Sequence, residues 1–254
     1  LSATNIANPS VNSINNGTNA IFQRYLLEVT DNSNGCKNLD SLIVQVNPLP
    51  IANAGTDRTL CAGNSINFGS GLFPTPNHSY LWTPATFLND ATLLNPTLTA
   101  PSNSISNVIT YTLTVTNNAT GCSLKDSALV TINALPTANA GTDKTICSGA
   151  TTQLGTNAIA GNNYAWTPTT GLTTPNQATT DVSRTYTGNN SSTTFEYVLT
   201  VTSAANCVKR DTVLLTVNKL PNADAGNNIT LCGNDTGLIG TPAITGYTYS
   251  WTSL

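Results

Sequence analysis

Charge is scarce in this sequence. Of 254 residues, 12 are acidic and 9 basic, so 8% carry charge and the formal net charge is -3, against about 25% charged residues in an average soluble protein. Nine cations leave no basic footprint for a nucleic-acid backbone, and no nucleic-acid partner is expected. The single His rules out His-rich zinc sites and coupled His pairs. No apolar run approaches the roughly 18 residues of a membrane span, so no span is expected. Methionine is absent, and without an initiator Met or a signal peptide the chain reads as an internal piece of a longer one. Charge runs are absent too, and 39% of residues are hydrophobic, which argues against disorder. Threonine and asparagine supply the polarity that charge does not, beside six cysteines.

Those residues are arranged periodically. Ile51-Ala52-Asn53-Ala54-Gly55-Thr56-Asp57-Arg58-Thr59-Leu60-Cys61 returns as Thr137-Ala138-Asn139-Ala140-Gly141-Thr142-Asp143-Lys144-Thr145-Ile146-Cys147, and more loosely as Asn222-Ala223-Asp224-Ala225-Gly226 up to Cys232. Trp82, Trp166 and Trp251 follow in the same order. Then come Tyr25-Leu26-Leu27-Glu28-Val29-Thr30, Tyr111-Thr112-Leu113-Thr114-Val115-Thr116 and Tyr197-Val198-Leu199-Thr200-Val201-Thr202. Gly55, Gly141 and Gly226 fall at nearly equal intervals, and the three tryptophans keep the same interval, which defines a tandem repeat. Residues 51–136 and 137–221 are complete units. Residues 1–50 match the C-terminal half of a unit and 222–254 the N-terminal part of one. The offset frame has two explanations: a window on a longer array, or half-units of neighbouring chains that complete each other head to tail and build a filament.

Each unit reads as all-β. Large apolar residues alternate with Thr from Tyr111 to Val115, the period of a half-buried strand. Ala128–Ile132 and Val213–Val217 follow after hairpin turns, while Ser65–Phe68 and Tyr80–Trp82 are earlier strands. Thr suits exposed strand faces; Asn, Gly and Pro suit turns. A unit of about 85 residues with about seven short strands has the size of a small immunoglobulin-like sandwich. Trp82, Trp166 and Trp251 are then core anchors between sheets.

Ala-Asn-Ala-Gly-Thr-Asp, Cys-x-Gly, Tyr-x-Trp-Thr-Pro and Tyr-x-Leu-Thr-Val-Thr followed by Gly-Cys resemble the PKD-like and Ig-like repeats of large Bacteroidota surface proteins, among them the giant flavobacterial gliding-motility adhesins (SprB type). The resemblance covers the whole chain. It implies tandem β-sandwiches in an extended rod, exported by the type IX system to the cell surface in association with the outer membrane. It also implies a non-enzymatic stalk or multivalent attachment in adhesion and gliding. The implied partners are adjacent repeats of the same chain, a surface polysaccharide or substratum, and the outer-membrane motility and secretion machinery. Similar repeats serve as spacers in secreted polysaccharide-degrading enzymes, and a self-assembling surface filament is the third alternative.

Six cysteines in such a chain read as disulfides. Each unit has one after its first strand (Cys61, Cys147, Cys232) and one in its last hairpin (Cys36, Cys122, Cys207). Pairs 25 residues apart span last strand, linker and next first strand, as much as about 80 Å at about 3.3 Å per residue, whereas bridged Cα atoms lie within roughly 7 Å. Two schemes remain. Cys61–Cys122 and Cys147–Cys207 would close bridges within units. Alternatively, the first-turn cysteine of one unit meets the last-hairpin cysteine of the next. That gives Cys61–Cys207, with Cys36, Cys122, Cys147 and Cys232 paired outside the window. Opposite poles of an Ig-like domain favour the second scheme, which stiffens the array.

Other chemistry is thin. Asp40-Ser41-Leu42, Asp126-Ser127-Ala128 and Asp211-Thr212-Val213 resemble the Bacteroidota O-glycosylation acceptor and make Ser41, Ser127 and Thr212 candidates, although Asp-Ser/Thr also suits a turn before a strand. Asp57 and Asp143 are the only metal candidates, for a junctional Ca²⁺; turn capping or pairing with Arg58 and Lys144 competes, and no cofactor is otherwise expected. His78 lies in a loop without a counterpart, and Glu28 and Glu196 are isolated, so no catalytic residue is assigned and no enzyme is expected. Binding is placed in variable loops such as Gly71–His78 and Gly188–Thr194.

Overall fold

The alternation of apolar residues with Thr becomes an alternation of burial in the structure, a computed structural model that describes residues 1–69 and 73–253. Gly71 and Leu72 of the first variable loop lie outside the described residues. Among the described residues all regular structure is strand, in the order β1 (Ile21–Thr30), β2 (Lys37–Val46), β3 (Arg58–Cys61), β4 (Ser65–Asn67), β5 (His78–Thr83), β6 (Thr97–Thr99), β7 (Asn107–Asn117), β8 (Ser123–Asn133), β9 (Lys144–Cys147), β10 (Thr151–Gly155), β11 (Asn163–Thr167), β12 (Thr179–Ser183), β13 (Ser192–Thr202) and β14 (Val208–Asn218). No helix among them is long and apolar enough to cross a membrane.

The chain divides into two compact units. One is Leu1–Thr137 together with Thr202–Lys209; the other is Ala138–Val201 with the residues from Arg210 onward. In the first, β3-β8-β7-β5 form a four-stranded sheet and β4-β6 a two-stranded one. β3 runs parallel to β8, with Leu60 opposite Ile132, and the other pairings are antiparallel. The second unit repeats the plan, with β11-β13-β14-β9 facing β10-β12 and β9 parallel to β14. β3–β8 and β9–β14 are thus two β-sandwich repeats. Among the described residues each has six strands where the sequence suggests about seven. Residues 51–57 form no ladder, because Asp126 rather than a neighbouring strand receives the Ala54 amide.

Each repeat has its own core. Tyr111, Leu113 and Val115 of β7 and Ala128, Val130 and Ile132 of β8 point inward onto Trp82 and Leu98. Phe68 fills the space beside them, its ring centroid 4.5 Å from Trp82 and 5.2 Å from Tyr111. The second core places Tyr197, Leu199, Val201, Val213, Leu215 and Val217 around Trp166, Val182 and Leu154. The threonines between them face outward, which is how so uncharged a chain builds a polar surface. Gly155 is required where it stands: its φ is +87°, and a Cβ would strike the Ala178 carbonyl oxygen.

The ends differ. β1 and β2 pair only with each other, and residues 222–253 contain no strand. Trp251, expected as a core anchor, is 56% exposed while Trp82 and Trp166 are 1% and 2% exposed. The reason is local: residues 222–253 hold no counterpart of β12, β13 and β14, which supply much of the wall around Trp166.

Candidate functional site

The two aspartates considered for Ca²⁺ belong to a hydrogen-bonded clasp that closes each repeat. Asp57 Oδ1 accepts the Leu129 amide of β8 at 2.9 Å, and Asp126 Oδ2 accepts the buried Ala54 amide at 2.7 Å. Asp143 accepts Leu214 N at 3.0 Å and Asp211 accepts Ala140 N at 2.7 Å in the second repeat. Each clasp therefore ties the strandless entry segment to the last strand twice. Among the described residues no group of three or more His, Cys, Asp or Glu is placed to hold a metal, and the one ion pair is Lys37–Glu28 at 2.7 Å. Asp57 and Asp143 pair with backbone rather than with Arg58 and Lys144.

The clasp also gives the Asp-Ser/Thr motif a structural role that sequence reading missed. Asp126 and Asp211 are its first residues, and they are acceptors for Ala54 and Ala140 rather than bystanders of a modification. The following hydroxyls are distinct: Ser127 and Thr212 are exposed on β8 and β14, and Ser41 is half-buried on β2. Ser127 Oγ lies 2.9 Å from Thr112 Oγ1, and Ser41 Oγ accepts Arg24 Nη2 at 3.0 Å.

The structure brings together one pair of cysteines. Cys61, at the end of β3, is bridged to Cys207, in the β13–β14 hairpin, with 5.6 Å between Cα atoms and a sequence separation of 146. Cys207 is fully buried, and its Sγ lies 3.9 Å from the Asn133 carbonyl oxygen at the end of β8. This is why the hairpin tip Thr202–Lys209 belongs to the first unit. The bridge joins the first-turn cysteine of one repeat to the last-hairpin cysteine of the next. Cys61–Cys122 and Cys147–Cys207 are not formed. Cys122 is free and half-buried; Cys36, Cys147 and Cys232 are free and exposed.

The aromatic residues are engaged in holding loops. Trp82 Nε1–H donates to Leu93 O at 3.1 Å, and Trp166 Nε1–H to Gln177 O at 2.9 Å. Tyr111 Oη–H donates to Thr86 O and Tyr197 Oη–H to Thr170 O, both at 2.7 Å. Burial pushes the Tyr111 phenol up to about 12. Burial raises that of Tyr197 too, against the nearby Arg184 charge, which lowers it. Neither buried indole offers a face for stacking on a sugar. His78, read as a loop residue, begins β5, and its Nδ1 lies 2.8 Å from Pro76 O.

Two clefts lie in the first unit. One, of about 680 Å³, is lined by residues of the 1–11 segment, among them Leu1, Ile6 and Val11, and by Leu26, Leu27 and Leu42 of the β1–β2 sheet. The other, of about 570 Å³, lies beside Pro48–Ile51, Phe73 and His78. Neither gathers a nucleophile, a base and an orienting group.

These features define a tandem β-sandwich repeat region. Comparison with known proteins places no family on it: no family model matches the chain, and no curated protein does. Solved structures similar to it include the extracellular domains 3–5 of Drosophila OTK, 12% identical over 76% of this chain and 69% of that one, with a TM-score of 0.36. The PKD domain from the KIAA 1837 protein is 23% identical over 35% of this chain and 92% of that one, with a TM-score of 0.28. An endo-fucoidan hydrolase of glycoside hydrolase family 107 is 11% identical over 78% of this chain and 34% of that one, also at 0.28.

Proposed function

We propose that the chain is a non-enzymatic, extracellular stretch of a large cell-surface adhesin, a stalk that also offers many weak attachment points. The observation that carries this reading is the Cys61–Cys207 bridge between successive sandwich repeats. A cross-link of that kind limits how far neighbouring repeats separate under load, a property of use to a tether and of none to a lone soluble domain. The oxidised bridge fits an extracellular setting. Repetition favours attachment over catalysis, because identical modules multiply weak contacts into firm binding. The resemblance to gliding-motility adhesins supplies the finer reading: type IX export, movement by outer-membrane machinery, and a surface polysaccharide or substratum as the ligand. Exposed Ser127 and Thr212 are then proposed acceptors for an O-glycan, with Ser41 the less accessible third; peptide mapping of protein from the native host tests this, and peptides spanning these residues without any mass excess would remove it.

Single-molecule stretching between the termini tests the stalk. With the bridge intact, the chain between Cys61 and Cys207, a separation of 146, stays hidden from the force. Reduction should lengthen the fully extended chain by about 500 Å at about 3.3–3.6 Å per residue. Equal lengths before and after reduction would overturn the reading.

A further inference from the structure

The two complete repeats carry the same frame around their first-turn cysteines, and one of the two frames is covered. Cys61 stands opposite Asn133 in the parallel β3–β8 ladder, and Cys147 stands opposite Asn218 in the parallel β9–β14 ladder. Ala62 N donates to Asn133 O and Ser148 N to Asn218 O, both at 2.8 Å. Gly63 N donates to Ala100 O and Gly149 N to Arg184 O, both at 2.9 Å. Burial separates them. Ala62 is buried and Cys61 and Asn133 are half-buried, whereas Ser148 is half-buried and Cys147 and Asn218 are exposed. The first pole is covered by the hairpin tip Thr202–Lys209, which brings the fully buried Cys207 to Cys61.

The covering piece is a repeated part as well. Each last hairpin puts a left-handed residue directly before its cysteine: Gly35 at φ +74°, Gly121 at +73° and Asn206 at +60°. One backbone bond closes each tip, from Asp31 N to Cys36 O at 2.8 Å, Asn117 N to Cys122 O at 2.9 Å and Ser203 N to Cys207 O at 2.9 Å. Cys36 and Cys122 hold this shape with free thiols, so the tip forms without a bridge. The turn after Cys147 also stands without one: Ala150 N donates to Cys147 O at 3.0 Å, as Asn64 N donates to Cys61 O at 3.1 Å. Two parts that are already shaped lose little conformational freedom on joining.

We propose that the pole around Cys147 is a docking site for the last hairpin of another sandwich repeat, and that a disulfide to Cys147 closes it. The occupant it fits is a tip with a left-handed Gly or Asn before its cysteine, on a repeat joined directly behind the second one, the relation that Cys207 bears to Cys61. Asn218 O meets the incoming Sγ as Asn133 O meets that of Cys207 at 3.9 Å. Ser148 tolerates being covered, because its Oγ already accepts Tyr186 N at 2.7 Å. Closure needs a disulfide oxidant such as oxidised glutathione: the two thiols give up two electrons and two protons, and two reduced glutathiones leave. The proposal rests on the match between the two poles and not on the adhesive reading. Its failure would leave Cys61–Cys207 and the stalk in place.

The test lengthens the full chain of 254 residues by one repeat. A copy of residues 137–221 is inserted between Pro221 and Asn222. Within the copy, Cys147→Ser leaves the hairpin cysteine as its one thiol, and Val208→Ile marks the hairpin peptide by mass. After oxidation in glutathione buffer, the marked hairpin peptide should be linked to Cys147 and the unmarked one to Cys61. Alkylation of Cys147, complete in the unextended chain, should be lost. Docking holds the thiols closer than a tether alone, so their effective concentration, titrated against glutathione, should fall at least about a hundredfold in concentrated urea. A second extension inserts residues 51–136 with Cys61→Ser and presents the Cys122 hairpin. It guards against a first insert that fails to fold and should bridge Cys147 in the same way. Cys147 left free in both extensions, or bonded to Cys232 or glutathione instead of the hairpin, would overturn the proposal. So would an effective concentration that urea leaves unchanged.

Discussion

The complete repeats and the end segments share one sequence pattern and differ in burial. Tyr197, Leu199 and Val201 are at most 1% exposed in the second repeat, while Leu27 and Val29 in the first end segment are more than half exposed. Trp166 is sealed and Trp251 is open. The β1–β2 hairpin and the turn contacts around Gly240 nevertheless form at the ends as they do in the interior. Turns and hairpins are therefore properties of a short local stretch of chain. A core is a property of the whole repeat, because its walls come from strands far apart in sequence: β3 and β8 are neighbours in the sheet although one ends at Cys61 and the other begins only at Ser123.

The widest gap between the two kinds of region should appear at the cysteines. A bridge spanning a sequence separation of 146 stabilises by up to about 5 kcal/mol in the chain-entropy account. Cys207→Ser should lower the denaturation midpoint of the repeats strongly, whereas Cys36→Ser, at an exposed free thiol, should leave it in place. Urea titration of both variants under oxidising conditions checks this. Equal midpoints would mean that the bridge contributes little and that the repeats stand unaided.

Next in size is the tryptophan pair. Trp166→Ala empties a filled core and should cost about 3–5 kcal/mol. Trp251→Ala in dilute monomer should move stability by no more than about 0.5 kcal/mol, as surface changes do. Thermal denaturation followed by near-ultraviolet circular dichroism separates the two. A large loss for Trp251→Ala in dilute solution would mean that the C-terminal segment has its own core.

A third contrast is set by pH. The Tyr111 phenol is held at about 12 by burial, above the value near 10 of an exposed tyrosine. Its proton is bound more tightly in the folded chain than in the unfolded one. The stability this contributes is complete below pH 10 and is lost as pH rises from 10 to 12. Tyr197 is shifted in the same direction. Equilibrium unfolding between pH 9 and 12 should show a decline that Tyr111→Phe reduces. A flat profile would break the link between burial and protonation.

Much of this was legible in the sequence, and what was not has physical causes. The all-β class and the inward face of β7 could be read because period-2 alternation of Tyr, Leu and Val with Thr is a local signal. The burial of Trp82 was legible for the same reason, through its place in the repeat; the exposure of Trp251 was not, because burial depends on strands that follow. A seventh strand was expected and is not found among the described residues, since a hydrogen-bonded clasp leaves no propensity signature. Cys61–Cys207 was one of two open schemes, and spacing alone could not choose between them. The role of Asp126 was hidden behind a second meaning of the same dipeptide. Asp before Ser reads as a turn or a modification acceptor, and nothing within the repeat unit's sequence points back to the distant Ala54 amide.

The smallest effect, and the most direct test of the clasp, comes from the aspartates themselves. Asp126→Ala strips the buried Ala54 amide of its acceptor, and an unsatisfied buried donor costs about 1–3 kcal/mol. Asp126→Asn keeps an oxygen in place and should recover most of the loss. Asp40 is exposed and accepts only the amide of Ser41 beside it, at 2.7 Å, so Asp40→Ala should leave monomer stability unchanged. Substituting the same residue type at equivalent positions would thus act on folding in one region and leave it untouched in the other, and equal effects on stability would erase the distinction between them.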